Sequence, residues 1–201
     1  MKIKKILLPL VALLFLSNTF AQDAILIQDK AKEKAWYEPD YAKMQFAGNL
    51  GVLSVGVGYQ LFDKVLYTEL LYGYVPVSIS KANEIHLISI KNTFPLYRKK
   101  IGNYTVSPIA GFTGSLETGN NSFLVLPDKY PKGYYVPSAI HFTLFVGALV
   151  HKDFGNSKRI KGIDFYYELG TVETYLWSAI TSKEIGLNAI FSSAIGVNLY
   201  F

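Results

Sequence analysis

The chain has 201 residues, half of them apolar, with 20 Lys and Arg against 15 Asp and Glu. It contains 15 Tyr, 13 Phe and 16 Gly but no cysteine, which excludes disulfides, thiolate catalysis, cysteine-bound metals and a cysteine-linked lipid anchor. The sequence shows no other metal-ligand or cofactor motif, so we expect neither a metal nor a cofactor. The length of the chain suits a single domain.

The first 21 residues have the three parts of a secretory signal peptide. A basic start, 1–5, precedes an apolar run, 6–16, and a small residue, Ala21, stands at the expected cleavage point. Without the three lysines of this segment, 17 basic residues remain against 15 acidic ones. The weak charge of the mature chain gives no support for a nucleic-acid partner.

Residues 22–43 are the most charged stretch, and we interpret them as an N-terminal arm before the folded domain of 44–201. Three aromatic residues in the arm, Trp36, Tyr37 and Tyr41, are suited to a membrane interface.

From Met44 onward, apolar and polar residues alternate, as in β-strands with one apolar face. The phase changes near 49–52, which predicts a bulge or a tight turn there. Short and long connections alternate along the chain, as in barrels with short periplasmic turns and long outer loops. An even strand number then requires 44–49 to be a strand, and the pattern predicts an all-β, eight-stranded antiparallel transmembrane barrel of the outer-membrane type. The predicted strands are 44–49, 53–60, 65–74, 84–94, 104–116, 138–151, 163–170 and 187–201.

The C-terminal segment, 187–201, alternates most clearly. One face is apolar and ends with Val197, Leu199 and Phe201, while the other face carries small and amide-bearing residues. The uncharged run 139–150 has only 12 residues, short of the ~20 that a membrane-spanning helix needs. A strand is therefore the better interpretation of these apolar segments.

On these features the chain resembles the small outer-membrane β-barrel proteins of Gram-negative bacteria. In that family, apolar residues at the positions of Val197, Leu199 and Phe201 form the signal that the barrel-assembly machinery reads. Segments 36–41, 45–49 and 70–76 are similar to those of a group of such proteins with no assigned activity. The resemblance implies a place in the cell outer membrane, among its lipid and lipopolysaccharide.

An eight-stranded barrel has an interior just wide enough for side chains to fill. We interpret the polar residues of the inward phase as a structural core of paired groups, because buried carboxylates need partners. The alternative is a proton-handling site made of Glu69, His141 and Glu168. The candidates for the lumen are Glu69, Ser89, Lys91, Thr93, His141, Thr143, Asp164, Tyr166, Glu168 and Asn188.

A second resemblance concerns catalysis. The lipid A deacylase barrels use a His and a Ser two residues apart on one strand, with an acid nearby. The closest arrangement here is His141 and Thr143, which share a face, with Glu168 or Glu69 as the acid. Thr stands where Ser is expected, so the nucleophile is substituted and catalysis is the weaker hypothesis.

The long loops, 117–136 and 172–186, carry aromatic residues that are candidates for binding. These are Phe123 and Tyr130 in the first loop and Trp177 in the second, where Trp177 also suits an interfacial aromatic girdle. We therefore expect a structural or surface-binding protein without catalysis. A lipid-modifying enzyme and a narrow channel are the alternatives.

Overall fold

A computed structural model of the chain describes residues 35–81, 83–119, 139–155, 159–181 and 190–201. The chain divides into two units, Met1–Glu38 and Pro39–Phe201. The predicted signal peptide and most of the predicted arm lie outside the described residues, and so do Phe123, Tyr130 and Asn188.

The second unit is built almost entirely from strands. Within the described residues its elements are β1 (Tyr41–Ala47), β2 (Leu53–Leu61), β3 (Leu66–Val75), α1 (Val77–Ser80), β4 (Ile85–Pro95), β5 (Lys99–Ile101), β6 (Tyr104–Thr118), β7 (Ile140–Asp153), β8 (Gly162–Val172), α2 (Glu173–Thr181) and β9 (Ser192–Tyr200).

Strand pairing closes the sheet into a barrel. Strands β1 to β4 pair in chain order, β4 pairs with β6, strands β6 to β9 pair in chain order, and β9 pairs with β1. Every pairing is antiparallel. The short β5 pairs with the first residues of β6, where it extends the ladder that β4 forms with the same strand. The prediction of a closed, eight-stranded, antiparallel all-β barrel is confirmed.

Some boundaries differ from the predicted ones. Strand β1 begins at Tyr41, three residues before the predicted start, because Tyr41 and Lys43 continue the inward alternation of Gln45. The expected phase change is the five-residue connection 48–52. Helices α1 and α2 lie within segments expected to be loops, and β9 begins only at Ser192.

The two faces of the barrel wall differ in chemistry. The charged side chains in the middle of the described strands are all buried in the lumen, namely Lys43, Glu69, Lys91, Asp164 and Glu168. Most of the outward positions between them are exposed and apolar, for example Met44, Leu70, Ile90, Val146 and Phe165. Water-soluble proteins show the reverse arrangement, with apolar residues in the core and charged residues at the surface.

The connections divide the barrel into two ends. The turn end carries the short connections 62–65, 102–103 and 154–161, together with the C-terminal Phe201. The loop end carries connections 48–52, 76–84, 119–139 and 173–191.

The connection 48–52 folds into the loop end of the lumen. Leu50 is buried there, and its carbonyl accepts a hydrogen bond from the Ser54 hydroxyl at 2.7 Å. A Cβ on Gly73 would lie 1.8 Å from that carbonyl oxygen, so only glycine permits the approach. Gly51 has φ +114°, a conformation that L side chains rarely adopt. The connection 48–52 therefore narrows the lumen at its loop end.

Candidate functional site in the barrel lumen

Two buried ion pairs occupy the middle of the lumen. Lys43 Nζ lies 2.8 Å from Glu69 Oε1, and Lys91 Nζ lies 2.5 Å from Glu168 Oε2. Gln45 lies beside them, and its Oε1 accepts hydrogen bonds from Lys91 Nζ and from the Tyr166 hydroxyl, both at 3.1 Å. We call Lys43, Gln45, Glu69, Lys91 and Glu168 the lumen cluster.

In the lumen cluster, each charged residue pairs with one on a strand that is not its direct neighbour. Glu69 and Lys91 are direct neighbours in the β3–β4 register, yet the Glu69 oxygen bonds Lys43, and it also accepts a hydrogen bond from the Tyr41 hydroxyl at 2.7 Å. Lys91 instead reaches β8 on the opposite wall. Each buried charge thus has an opposite charge in contact, as burial demands.

Aromatic rings complete this layer. Lys43 Nζ lies 4.0 Å from the centre of the Tyr166 ring, and Lys91 Nζ lies 4.4 Å from that of Phe145. Glycine makes room for the rings on the neighbouring strands. A Cβ on Gly196 would come within 2.2 Å of the Tyr166 hydroxyl, and one on Gly111 within 2.4 Å of the Phe145 ring. The lysine charges therefore lie against π faces as well as carboxylates.

A second polar group lies nearer the turn end. Asp164 Oδ1 is 2.6 Å from His151 Nδ1, while Asp164 Oδ2 accepts hydrogen bonds from the Tyr200 hydroxyl at 2.5 Å and from Asn198 Nδ2 at 3.0 Å. His151 and Asp164 are direct partners in the β7–β8 register. Both oxygens of the carboxylate thus have hydrogen-bond partners, and Asp164 forms the inner floor of the lumen at the turn end.

The lumen opens into a cavity at each end. The loop-end cavity measures about 600 Å³ and is lined mainly by apolar residues, among them Val75, Ile79, Leu87 and Tyr175. His141 and Glu117 also line it, with His141 Nε2 3.5 Å from Glu117 Oε2. The turn-end cavity measures about 510 Å³ and is lined by polar and basic residues. The lumen cluster and its rings occupy the barrel between them and leave only a small cavity of about 20 Å³ beside Lys91 and Glu168 among the described residues.

The residues proposed for catalysis lie at different depths of the lumen. His141 and Thr143 share the inward face of β7, with His141 at the loop-end cavity and Thr143 buried beneath it. The acid beside His141 is Glu117, since Glu69 and Glu168 are bound to the lysines of the lumen cluster. Of the three groups proposed for proton handling, the two carboxylates are thus bound by lysines, and Glu168 lies opposite Gly147 of β7, six residues along that strand from His141.

The remaining candidates lie on the outside. Trp177 is 69% exposed on α2, and it is Tyr175 of that helix that lines the loop-end cavity. Val197, Leu199 and Phe201 follow the outward phase of β9, with Leu199 and Phe201 exposed.

Tyr41, expected at a membrane interface, lies buried in the lumen instead, and other lumen residues were also not foreseen from the sequence. Lys43 was assigned to the arm, and Gln45, His151 and Asn198 were not among the lumen candidates. The alternation of Tyr41, Lys43 and Gln45 with apolar neighbours would have revealed the first two. The other two lie on the inward phase of their strands, opposite Asp164 in the β7–β8 and β8–β9 registers.

Comparison with protein families, with curated proteins and with solved structures found no match to this chain. Over the described part of the chain, no three His, Asp or Glu residues are grouped closely enough to hold a metal ion. Neither described helix is long and apolar enough to cross a membrane.

Proposed function

We propose that this chain is an integral barrel of the Gram-negative outer membrane, with a structural and surface-binding role and no catalysis. One observation carries the proposal: the charged side chains in the middle of the described strands face the lumen, and most of the outward positions between them are apolar. In water such a surface would aggregate, since contiguous exposed apolar patches on soluble proteins are small. In a bilayer the same surface is the favourable one, and a closed barrel leaves no unpaired sheet edge.

The few polar side chains on the outward face support the same proposal. Thr68 donates a hydrogen bond to Asn92 at 2.9 Å, and the hydroxyls of Tyr167 and Ser193 lie 3.0 Å apart. Hydrocarbon offers polar groups no hydrogen bonds, so partners within the wall are needed there.

The two ends suggest the orientation and the partners. Short turns face the periplasm in such barrels and long loops face outward, so the loop-end cavity opens to the cell surface among lipopolysaccharide. Its apolar lining and its size of about 600 Å³ suit the apolar part of a small ligand. The outward apolar residues of β9 are the part that the barrel-assembly machinery recognises.

A lipid-modifying enzyme is the second candidate, because His141, paired with Glu117, lies in the loop-end cavity near Thr143. Purified lipid A incubated with the refolded barrel tests it. We expect no release or transfer of acyl chains, and activity that is lost in the His141→Ala variant would establish the enzyme instead.

A narrow channel is the third candidate. The lumen cluster fills the space between the two cavities, so we expect no steady ion current when the barrel is inserted in a planar bilayer. A reproducible single-channel conductance would contradict this part of the proposal.

The decisive experiment places a charge on the outer wall. Val146 lies at the middle of β7 and is 57% exposed. In lipid vesicles, Val146→Arg is expected to lower the free energy of unfolding by about 2–4 kcal/mol, the cost of arginine at the bilayer midplane. Ile101→Arg, on the equally exposed β5 at the turn end, is the matched control, with an expected cost of about 0–1 kcal/mol. Equal, small effects of both variants would refute a membrane-spanning wall.

A further inference from the structure

The turn-end cavity gathers positive charge. Its lining includes Lys64 from the β2–β3 turn, Arg98 and Lys100 from the segment around β5, and Lys152 at the end of β7. These residues come from three separate connections, so it is the barrel closure that brings them to one cavity of about 510 Å³.

Few carboxylates oppose these cations. The ion pairs of the described residues involve Lys43, Lys91 and the histidines, and none involves the four basic residues of this cavity. Among the described residues of the lining, Asp153 is the one acidic residue, and its Oδ1 accepts a hydrogen bond from the Gly155 amide at 2.7 Å. Asp164, at the floor, is bound by His151, Tyr200 and Asn198.

The charge is specific to this end. The loop-end cavity has a similar volume, yet its described lining contains no Lys or Arg. Basic residues that only kept the turns hydrated would not need to converge on a cavity. Their convergence raises the local potential and favours an anion there.

The geometry of the cavity is held by the turns themselves. Arg98 donates a hydrogen bond to the Lys64 carbonyl, which ties the β2–β3 turn to the segment before β5. Lys100 is the register partner of Thr105 on β6, and Thr105 and Ser107 add hydroxyl groups to the lining. Lys152 belongs to the rim, with its Nζ 5.5 Å from the Tyr104 ring centre.

We propose that the turn-end cavity is a binding site for a phosphate group on a small anionic ligand. A phosphate monoester carries about −1.5 to −2 charges at neutral pH and three acceptor oxygens, which matches several cations with neighbouring hydroxyl donors better than a single carboxylate does. The volume is within the range of small-ligand sites. A soluble phosphorylated compound and the headgroup of an anionic phospholipid share this chemistry.

The test measures the binding of a soluble phosphate compound and of an anionic phospholipid to the refolded barrel. The barrel is held in maltoside micelles, which contain no phosphate. Inorganic pyrophosphate is titrated by calorimetry at fixed ionic strength, and phosphatidylglycerol retention is measured by native mass spectrometry. We expect Lys100→Gln to weaken pyrophosphate binding about tenfold or more, the equivalent of one lost charged hydrogen bond. Lys99→Gln removes the neighbouring charge of β5, which does not line the cavity, and we expect it to leave the affinity unchanged.

One further variant and one further measurement make the outcome unambiguous. Lys100→Arg retains the charge and is expected to retain binding, and circular dichroism verifies that each variant folds. Retention of the lipid with no pyrophosphate binding identifies a headgroup site, and the reverse identifies a soluble ligand. The proposal is overturned if neither probe binds, or if Lys99→Gln weakens binding as much as Lys100→Gln. Because the measurements are made in micelles, they stand apart from the Val146→Arg test of the membrane.

Discussion

At the scale of single residues, the lumen is held by charges that have no access to water. Lys91 and Glu69 are each only 1% exposed, and each has an opposite charge in contact. Such pairs contribute little net stability, because the cost of desolvation offsets their attraction. Their effect is strongest when one partner is lost.

This asymmetry predicts the behaviour of Lys91 variants. Lys91→Met leaves Glu168 buried without its cation and is expected to lower the free energy of unfolding by about 3–5 kcal/mol. The double variant Lys91→Met with Glu168→Gln removes both charges, and we expect it to recover most of that loss. Urea titration in lipid vesicles measures both. A double variant no more stable than the single one would show that the pair does not act as a unit.

A second residue-scale prediction concerns the glycines of the wall. A Cβ on Gly58 would lie 2.1 Å from the Tyr41 ring, whereas one on Gly114 would meet only Phe142, at 3.7 Å. We expect Gly58→Ala to cost about 1–3 kcal/mol of unfolding free energy through overpacking. Gly114→Ala should be neutral or slightly stabilising. The same urea titration compares them, and similar effects would mean that Tyr41 can shift freely.

At the scale of elements, the connection 48–52 shows what a local pattern misses. The change of phase after β1 indicates that the chain turns there, but not into which space. The turn enters the lumen because Gly73 admits the Leu50 carbonyl and because the Ala47 and Val52 amides are bonded to backbone carbonyls. Gly73 and the Tyr74 carbonyl, which accepts the hydrogen bond of the Val52 amide, belong to β3, so these two contacts exist only once the strands have paired.

Strand β9 carries the element-scale prediction. Phe201 and Phe191 flank β9 and are similarly exposed, at 47% and 49%. If Phe201 belongs to an assembly signal, Phe201→Ser should reduce the amount of barrel in the outer membrane of expressing cells, and Phe191→Ser should not. The spontaneous refolding of both variants in vesicles should match that of the parent chain. Equal loss for both variants in cells would point to lost apolar area instead of a signal.

At the scale of the whole molecule, the two ends of the barrel differ in their chemistry. The loop end presents an apolar cavity and the turn end a basic one, with the lumen cluster between them. The orientation proposed above therefore decides which cavity faces the medium and which faces the periplasm.

The absence of cysteine makes this orientation measurable. Ile79→Cys places a thiol on α1 at the loop end, and Ile101→Cys places one on β5 at the turn end, both at exposed positions. A membrane-impermeant maleimide added to intact cells is expected to label the first variant only. Labelling of the second should require prior opening of the outer membrane. The opposite pattern would invert the proposed orientation.

The sequence by itself determined the barrel wall. Alternation with a period of two depends only on neighbouring residues, so the strands, their number and the inward phase of Glu69, Lys91 and Glu168 could be predicted. The contacts between the lumen residues could not be predicted, because the position of a residue on the inward face does not reveal which residue it will contact.

Only the tertiary structure decided the contacts inside the barrel. Lys91 bonds Glu168, 77 residues away along the chain, instead of its direct neighbour Glu69. The four cations of the turn-end cavity likewise meet only after closure. Partners across a lumen depend on how the whole sheet is staggered and tilted when it closes, and no local pattern records that geometry.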